Sequence, residues 1–174
     1  MNILRAGTVI AVALVTAVSA ALRAAPGQKP EGNAPATKPP TVLFMCPHGA
    51  AKSVLASAYF QRLAKERGLN VRVDSAGTEP DPAVSSAVRA HLTRQGYAVP
   101  IAKPRKATAE EVAAADVVIS IGCDLSALPA PRGRMERWDE VPAPSQDFAA
   151  ADEAIRRRVV ALVEELLAAK PLEK

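Results

Sequence analysis

Short apolar runs alternate along this chain with longer segments of helical period, and their order sets the expected fold. Residues 42–45, VLFM, are wholly apolar, as in a strand buried on both faces of a parallel sheet. Beyond a small-residue loop, residues 53–68 put Val54, Leu55, Ala58, Tyr59 and Leu63 on one helical face, and Gly68 is placed to end that helix. Residues 70–74, NVRVD, alternate as a strand, and the following Ser75, Ala76, Gly77 and Thr78 are expected to turn away from it. Asp81 followed by Pro82 predicts a capped helix over 83–95, closed by Gly96. Thr108 with Glu111 three residues on reads as a capping box that opens a short helix through Ala115. Residues 117–121, VVISI, form another buried strand. Residues 124–128 start a helix that Pro129 and Pro131 stop, 135–138 are a short last strand, and 141–145, VPAPS, are loop. Residues 148–169 form the longest helix, with Phe148, Ile155, Val159, Leu162, Val163 and Leu166 as its apolar stripe.

Strands alternating with helices predict an α/β fold, a three-layer sandwich whose four-stranded parallel sheet carries helices on both faces. Ligands bind such sheets beyond the carboxyl ends of the strands. Cys46 and Cys123 both follow apolar runs, which puts them on that same rim.

The N-terminal pattern is different. Arg5, an uncharged apolar stretch at 6–18 and Val18-Ser19-Ala20 read as a secretory signal over residues 1–20. The stretch is shorter than the roughly 20 residues a spanning helix needs, so no stable membrane anchor is expected; an uncleaved anchor is the alternative. Residues 21–40 are rich in Pro, Ala and Gly without periodicity and read as a disordered linker, leaving 41–170 as one domain in an exported, periplasmic or secreted protein. Arg5, Arg23, Lys29 and Lys38 against Glu31 account for +3 of the formal net charge of +4. The domain is therefore nearly neutral. The basic cluster Lys103, Arg105 and Lys106 reads as a solvated loop, and no nucleic-acid partner is expected. The chain has 2 cysteines, too few for a disulfide scaffold, so the fold must rely on its apolar core. Export would still place both thiols in an oxidising compartment.

The chemistry concentrates at residues 41–53, TVLFMCPHGAAKS. A strand delivers Cys46 into a loop that a helix follows at once. Backbone N–H groups of such a loop and the positive end of the helix dipole favour an anion there, and a thiol beside them should be acidic. The alternative for Cys46 is an inert buried thiol. His48 beside it is a candidate base or counter-charge, with a solvated loop histidine as the alternative.

The loop, Cys46 followed by five residues and then Lys52 and Ser53, resembles that of the low-molecular-weight protein tyrosine phosphatases. That family includes the thioredoxin-coupled arsenate reductases, and its loop is C-x5-R-[ST]. The similarity continues through VDSAGTEP at 73–80, PRKATAEEVAAADVVISIGCD at 104–124, ERWDEVPAPS at 136–145 and DEAIRRRVVALVEELL at 152–167, so it spans 41–169. The resemblance implies that a Cys46 thiolate attacks phosphorus or arsenic and that Ser53 hydrogen-bonds this thiolate. The loop of Pro47, His48, Gly49, Ala50, Ala51 and Lys52 would hold the equatorial oxygens, and a carboxylic acid would protonate the leaving oxygen.

Three parts are altered. Lys52 gives a point charge where the family has a planar arginine fork, Gly49 replaces an asparagine, and Ala143-Pro144 stands where the family has Asp-Pro. The family's tyrosine pair beyond the acid is also missing. Asp139 and Asp147, four residues either side of Ala143, are candidate substitute acids. Cys123 is a candidate redox partner, because the arsenate reductases pass oxidation from the loop cysteine to two further ones; a core filler thiol is its alternative. A Cys46–Cys123 disulfide would silence the thiolate. The function implied is hydrolysis of a phosphorylated substrate through a cysteinyl-phosphate. The alternatives are arsenate reduction with a thiol reductant, or a non-catalytic protein that binds phosphate, arsenate or a partner. Neither a metal ion nor an organic cofactor is expected.

Overall fold

The two apolar runs take the central places of one sheet. In the computed structural model, which describes residues 38–169, the element order is β1 (Thr41–Cys46), α1 (Lys52–Glu66), β2 (Arg72–Gly77), α2 (Ser86–Arg94), α3 (Ala109–Ala114), β3 (Val117–Ser120), β4 (Arg134–Arg137) and α4 (Phe148–Ala169). The signal segment and residues 21–37 of the linker lie outside the described residues. The strands run β2-β1-β3-β4, all parallel, with Cys46 opposite Gly77 and Met45 opposite Ser120. The α/β sandwich expected from the alternation is the fold observed.

Because side chains alternate across a strand, β1 feeds two cores. Val42, Phe44 and Cys46 pack with Val117 and Ile119 against residues of α1 and α4, whereas Leu43 and Met45 pack with Val118 against Val112 and Ala115 on the other side. Phe44 sits between Phe60, 5.5 Å away, and Trp138, 5.8 Å away, and all three rings are fully buried. Burying each such ring is worth about 1.5–3 kcal/mol, so the strand that ends at Cys46 is among the best-anchored parts of the molecule.

A polar cluster ties the helices on the α1 face together. The Arg156 guanidinium lies 4.0 Å from the Tyr59 ring centre and donates to Asp152 at 2.9 Å, to the Tyr97 hydroxyl at 3.2 Å and to the Tyr59 hydroxyl at 3.0 Å. Tyr59 donates to Asp152. Burial, reinforced by that hydrogen bond, pushes the Tyr59 hydroxyl well above the ordinary phenol range and keeps it a neutral donor.

Several boundaries differ from the sequence expectation, each for a local reason. β2 continues through Ser75, Ala76 and Gly77 instead of turning, because these residues pair in register with Phe44, Met45 and Cys46. α2 begins at Ser86, later than expected: Asp81 does not cap a helix but faces His48, and the Ser85 N–H still reaches back to the Ala50 carbonyl at 3.0 Å. Residues 124–128 form only a turn, in which Asp124 accepts from the Ser126 N–H at 2.9 Å and the Leu128 N–H reaches Leu125 at 2.9 Å. β4 lies one residue earlier than expected, although the Trp138 N–H still reaches Ser120 at 2.8 Å. The capping box at Thr108 and Glu111 is formed, and α4 has the expected limits. No helix among the described residues is long and apolar enough to cross a membrane.

Candidate active site

Cys46 ends the central strand and is 3% exposed, with its Sγ 3.2 Å from the Ser53 Oγ at the start of α1. The loop between them is fastened by its carbonyls. Pro47 O accepts from the Glu79 N–H at 2.9 Å and from the Thr78 hydroxyl at 3.3 Å, His48 O accepts from the Asp81 N–H at 3.0 Å, and Ala50 O accepts from the Ser85 N–H. In a trans peptide the carbonyl and the following N–H point in opposite directions. With three carbonyls turned toward residues 78–85, the N–H groups of His48, Gly49 and Ala51 point the other way.

Among the described residues, none of the N–H groups of His48, Gly49, Ala50, Ala51 and Lys52 has a protein acceptor. Unpaired backbone donors clustered at a helix N-terminus are an anion site. Pro47, included in the expected phosphate-binding set, has no N–H to contribute; its part is the carbonyl that fastens the loop. Gly49 has φ of +58°, a left-handed conformation that asparagine, the family's residue here, also tolerates. It is pressed so closely on β2 that a Cβ would lie 2.8 Å from the Gly77 nitrogen.

The loop forms one side of a cleft of about 510 Å³ whose lining includes Cys46, His48, Lys52, Asp81, Ala143 and Phe148. Its walls mix the polar loop with small apolar side chains. The Lys52 ammonium donates to the Val141 carbonyl at 3.5 Å and lies over Gly122, where a Cβ would come within 2.8 Å of it. It therefore sits at the cleft edge, between the cradle and the facing wall.

The candidate acids are placed apart from the thiol. Asp139 is paired with Arg137 at 2.8 Å, and Asp147 caps α4 by accepting from the Ala150 N–H at 2.9 Å; neither lines the cleft. Ala143, which does line it, carries no acid. The carboxylate inside the cleft is Asp81, whose Oδ1 is 3.4 Å from His48 Nδ1. Asp81 reads in the sequence as a helix cap; its place beside His48 comes only from the fold, which brings residues 48 and 81 together.

Both cysteines are free. Cys123 is 4% exposed and packs in the core on the α3 face, and Ser120 Oγ donates to its carbonyl at 2.7 Å and lies 3.4 Å from its sulfur. Burial pushes the Cys123 thiol above its ordinary value of 9.0, outweighing the Ser120 hydrogen bond and the Lys52 charge that favour the thiolate. Among the described residues no three His, Cys, Asp or Glu side chains come together as a metal site.

Comparison with known proteins agrees with this geometry. A putative arsenate reductase of Halobacterium salinarum is 26% identical over 70% of this chain and 89% of its own length. The thioredoxin-dependent arsenate reductase of Corynebacterium glutamicum superposes with a TM-score of 0.68 at 29% identity over 78% of this chain; the chain spans 65% of that protein's length. A low-molecular-weight phosphotyrosine phosphatase of Vibrio cholerae shares the fold, with a TM-score of 0.63 at 22% identity over 72% of this chain and 95% of that one. The family model for low molecular weight phosphotyrosine protein phosphatase matches residues 41–169. That match takes in every element of the sheet, the thiol loop and the cleft built on it, and the chain belongs to this family.

Proposed function

We propose that the protein hydrolyses a phosphomonoester through a cysteinyl-phosphate on Cys46. One observation carries the reading: a buried thiol lies beside unpaired loop amides at a cleft of about 510 Å³, far larger than a bare tetrahedral oxyanion needs and walled partly by Phe148, Ala87 and Pro144. A cleft of that size suits an oxyanion carrying an organic group. The loop amides and Lys52 hold the non-bridging oxygens; the Cys46 thiol donates to the Ser53 Oγ at 3.2 Å, and once the thiol has lost its proton the same hydroxyl is placed to donate to the sulfur. The sulfur attacks phosphorus in line, and the S–P bond forms as the ester P–O bond breaks. Water then displaces the sulfur and releases phosphate. No redox partner enters this sequence, which accords with Cys123 being buried and held as a thiol. The signal-like N-terminus adds to the proposal that the reaction takes place outside the cytoplasm.

Arsenate reduction is the second reading, favoured by the presence of Cys123 beyond β3 on the same sheet rim and by the names of the relatives above. In it Cys46 attacks arsenic, Cys123 attacks the Cys46 sulfur, and the two thiols supply the two electrons that turn arsenate into arsenite while a disulfide forms. An external thiol reductant then restores the pair.

The test measures release of phosphate from aryl phosphates and formation of arsenite from arsenate, under reducing conditions, for wild type, Cys46→Ser and Cys123→Ser. Phosphate release that is lost in Cys46→Ser and retained in Cys123→Ser supports the hydrolase. Arsenite formation lost in both variants, without ester turnover, replaces it with the reductase. Absence of both reactions leaves an oxyanion-binding protein, which phosphate titration would register.

A further inference from the structure

The cleft lacks an acid at the place where the fold would supply one, and another pair of side chains stands at its mouth. Of the cleft-lining residues, Ala87, Ala143, Pro144 and Phe148 carry no transferable proton, Ser85 and Ser145 carry only alkyl hydroxyls, which are not among the side chains that serve as general acids, and Lys52 is turned to the Val141 carbonyl. His48 and Asp81 remain. They come from different loops, and backbone bonds fix their juxtaposition: the Asp81 N–H donates to the His48 carbonyl at 3.0 Å, and the Glu79 N–H to the Pro47 carbonyl at 2.9 Å. The side chains meet at 3.4 Å between His48 Nδ1 and Asp81 Oδ1. Among the described residues, the contact of the His48 ring with a charged group is made through Nδ1, which leaves Nε2 on the other side of the ring. A carboxylate facing one ring nitrogen at this distance attracts the imidazolium, orients the ring and leaves the other nitrogen for the reaction.

Position agrees with this chemistry. Cys46 is buried, whereas the side chains of His48 and Asp81 are 63% and 49% exposed. In-line displacement places the leaving oxygen on the far side of phosphorus from the sulfur, hence toward the mouth.

We propose that His48, oriented by Asp81, is the proton donor to the leaving oxygen, in place of the carboxylic acid absent at Ala143. The inference rests on the phosphomonoester reading above. As the S–P bond forms and the ester P–O bond breaks, the electron pair of the broken bond passes to the leaving oxygen, which takes the proton from Nε2 of the imidazolium. The neutral imidazole, its Nδ1 edge facing Asp81, then accepts a proton at Nε2 from the water that attacks the cysteinyl-phosphate. The O–P bond forms, the S–P pair returns to Cys46, and the starting protonation state is restored.

The experiment compares two esters with the full chain: phenyl phosphate, whose leaving oxygen needs a proton, and 2,4-dinitrophenyl phosphate, whose leaving group departs as a stable anion. His48→Ala should lose about 10²-fold more kcat on phenyl phosphate than on the dinitrophenyl ester. Asp81→Asn should show the same selectivity to a smaller extent, with KM unchanged. Adding Ala143→Asp to His48→Ala should recover part of the loss on phenyl phosphate. Equal loss on both esters in His48→Ala, or no loss, overturns the proposal while leaving the hydrolase reading intact. Failure of wild type to turn over either ester overturns the hydrolase reading and the proposal with it.

Discussion

Replacing Gly49 by alanine tests how rigidly the cradle is held. Gly49 has φ of +58°, a conformation that costs an L-residue roughly 1–2 kcal/mol. The added Cβ would also lie 2.8 Å from the Gly77 nitrogen, 3.1 Å from the Ala76 carbonyl carbon and 3.2 Å from the Gly77 Cα. All three atoms are backbone of β2, paired with β1, so they cannot swing aside as a side chain would. Overpacking of that kind costs about 1–3 kcal/mol, for a total of ~2–5 kcal/mol. Gly68 supplies the control: its φ is +65° and nothing lies within 4 Å of its Cβ position, so Gly68→Ala should show the conformational cost alone. Gly49→Asn separates the contributions differently, because asparagine tolerates the left-handed conformation but still brings a Cβ. Urea unfolding should order Gly49→Ala, Gly49→Asn and wild type from least stable upward, with Gly68→Ala also between Gly49→Ala and wild type. With m of about 1–3 kcal/mol/M, Gly49→Ala should move the midpoint by about 1 M or more. An equal midpoint for Gly49→Ala and Gly68→Ala would show that the loop yields freely and that the cradle is not rigid.

The other predictions follow from single contacts. Asp147→Ala should cost about 0.5–2 kcal/mol in urea unfolding through loss of the α4 cap, with phosphomonoester turnover retained; a loss of turnover would make Asp147 an acid after all. Lys52→Arg should raise kcat/KM on aryl phosphates on the order of tenfold, since a fork can make one more charge-assisted hydrogen bond; unchanged or lower kcat/KM would show that the ammonium is already well matched. Because the folded-state pKa of Cys123 is raised, the unfolded chain releases its proton first, so the stability this thiol contributes is complete below its ordinary value of 9.0 and is lost as pH rises from there toward the higher folded value. Wild type should therefore lose Tm more steeply than Cys123→Ala over that alkaline range, and parallel curves would count against a buried thiol.

The elements that the sequence announces are those whose signal is local. The Thr108–Glu111 capping box and the apolar stripe of α4 depend on neighbours three or four residues away and were legible. Ser75, Ala76 and Gly77 were not, because small residues signal a turn unless a paired strand claims them, and the claim comes from Phe44 to Cys46, thirty-one residues earlier in the register. The same reasoning applies to the site. Cys46, Lys52 and Ser53 are adjacent and could be read from one motif. Asp81 carries a helix-cap signature, and its approach to His48 belongs to a loop pairing that no spacing rule contains. Asp139 and Asp147 were attractive by nearness in sequence to Ala143, but a helix cap and a surface arginine hold them away from the cleft.

The two sides of the cleft differ in how they are attached. The cradle is stitched by its carbonyls to the segment after β2, whereas the facing wall is held by bonds within itself, from Gln146 N–H at 2.9 Å and Asp147 N–H at 3.1 Å to the Ala143 carbonyl. Among the described residues, the direct hydrogen bond between the two sides is the long one from Lys52 to Val141. Sequence change in residues 142–147 can thus accumulate without moving the sulfur. The chain is mechanically modular: a firmly held thiol loop faces an exchangeable wall, so a different 142–147 segment grafted onto this scaffold should alter what the cleft admits while the cradle keeps its geometry.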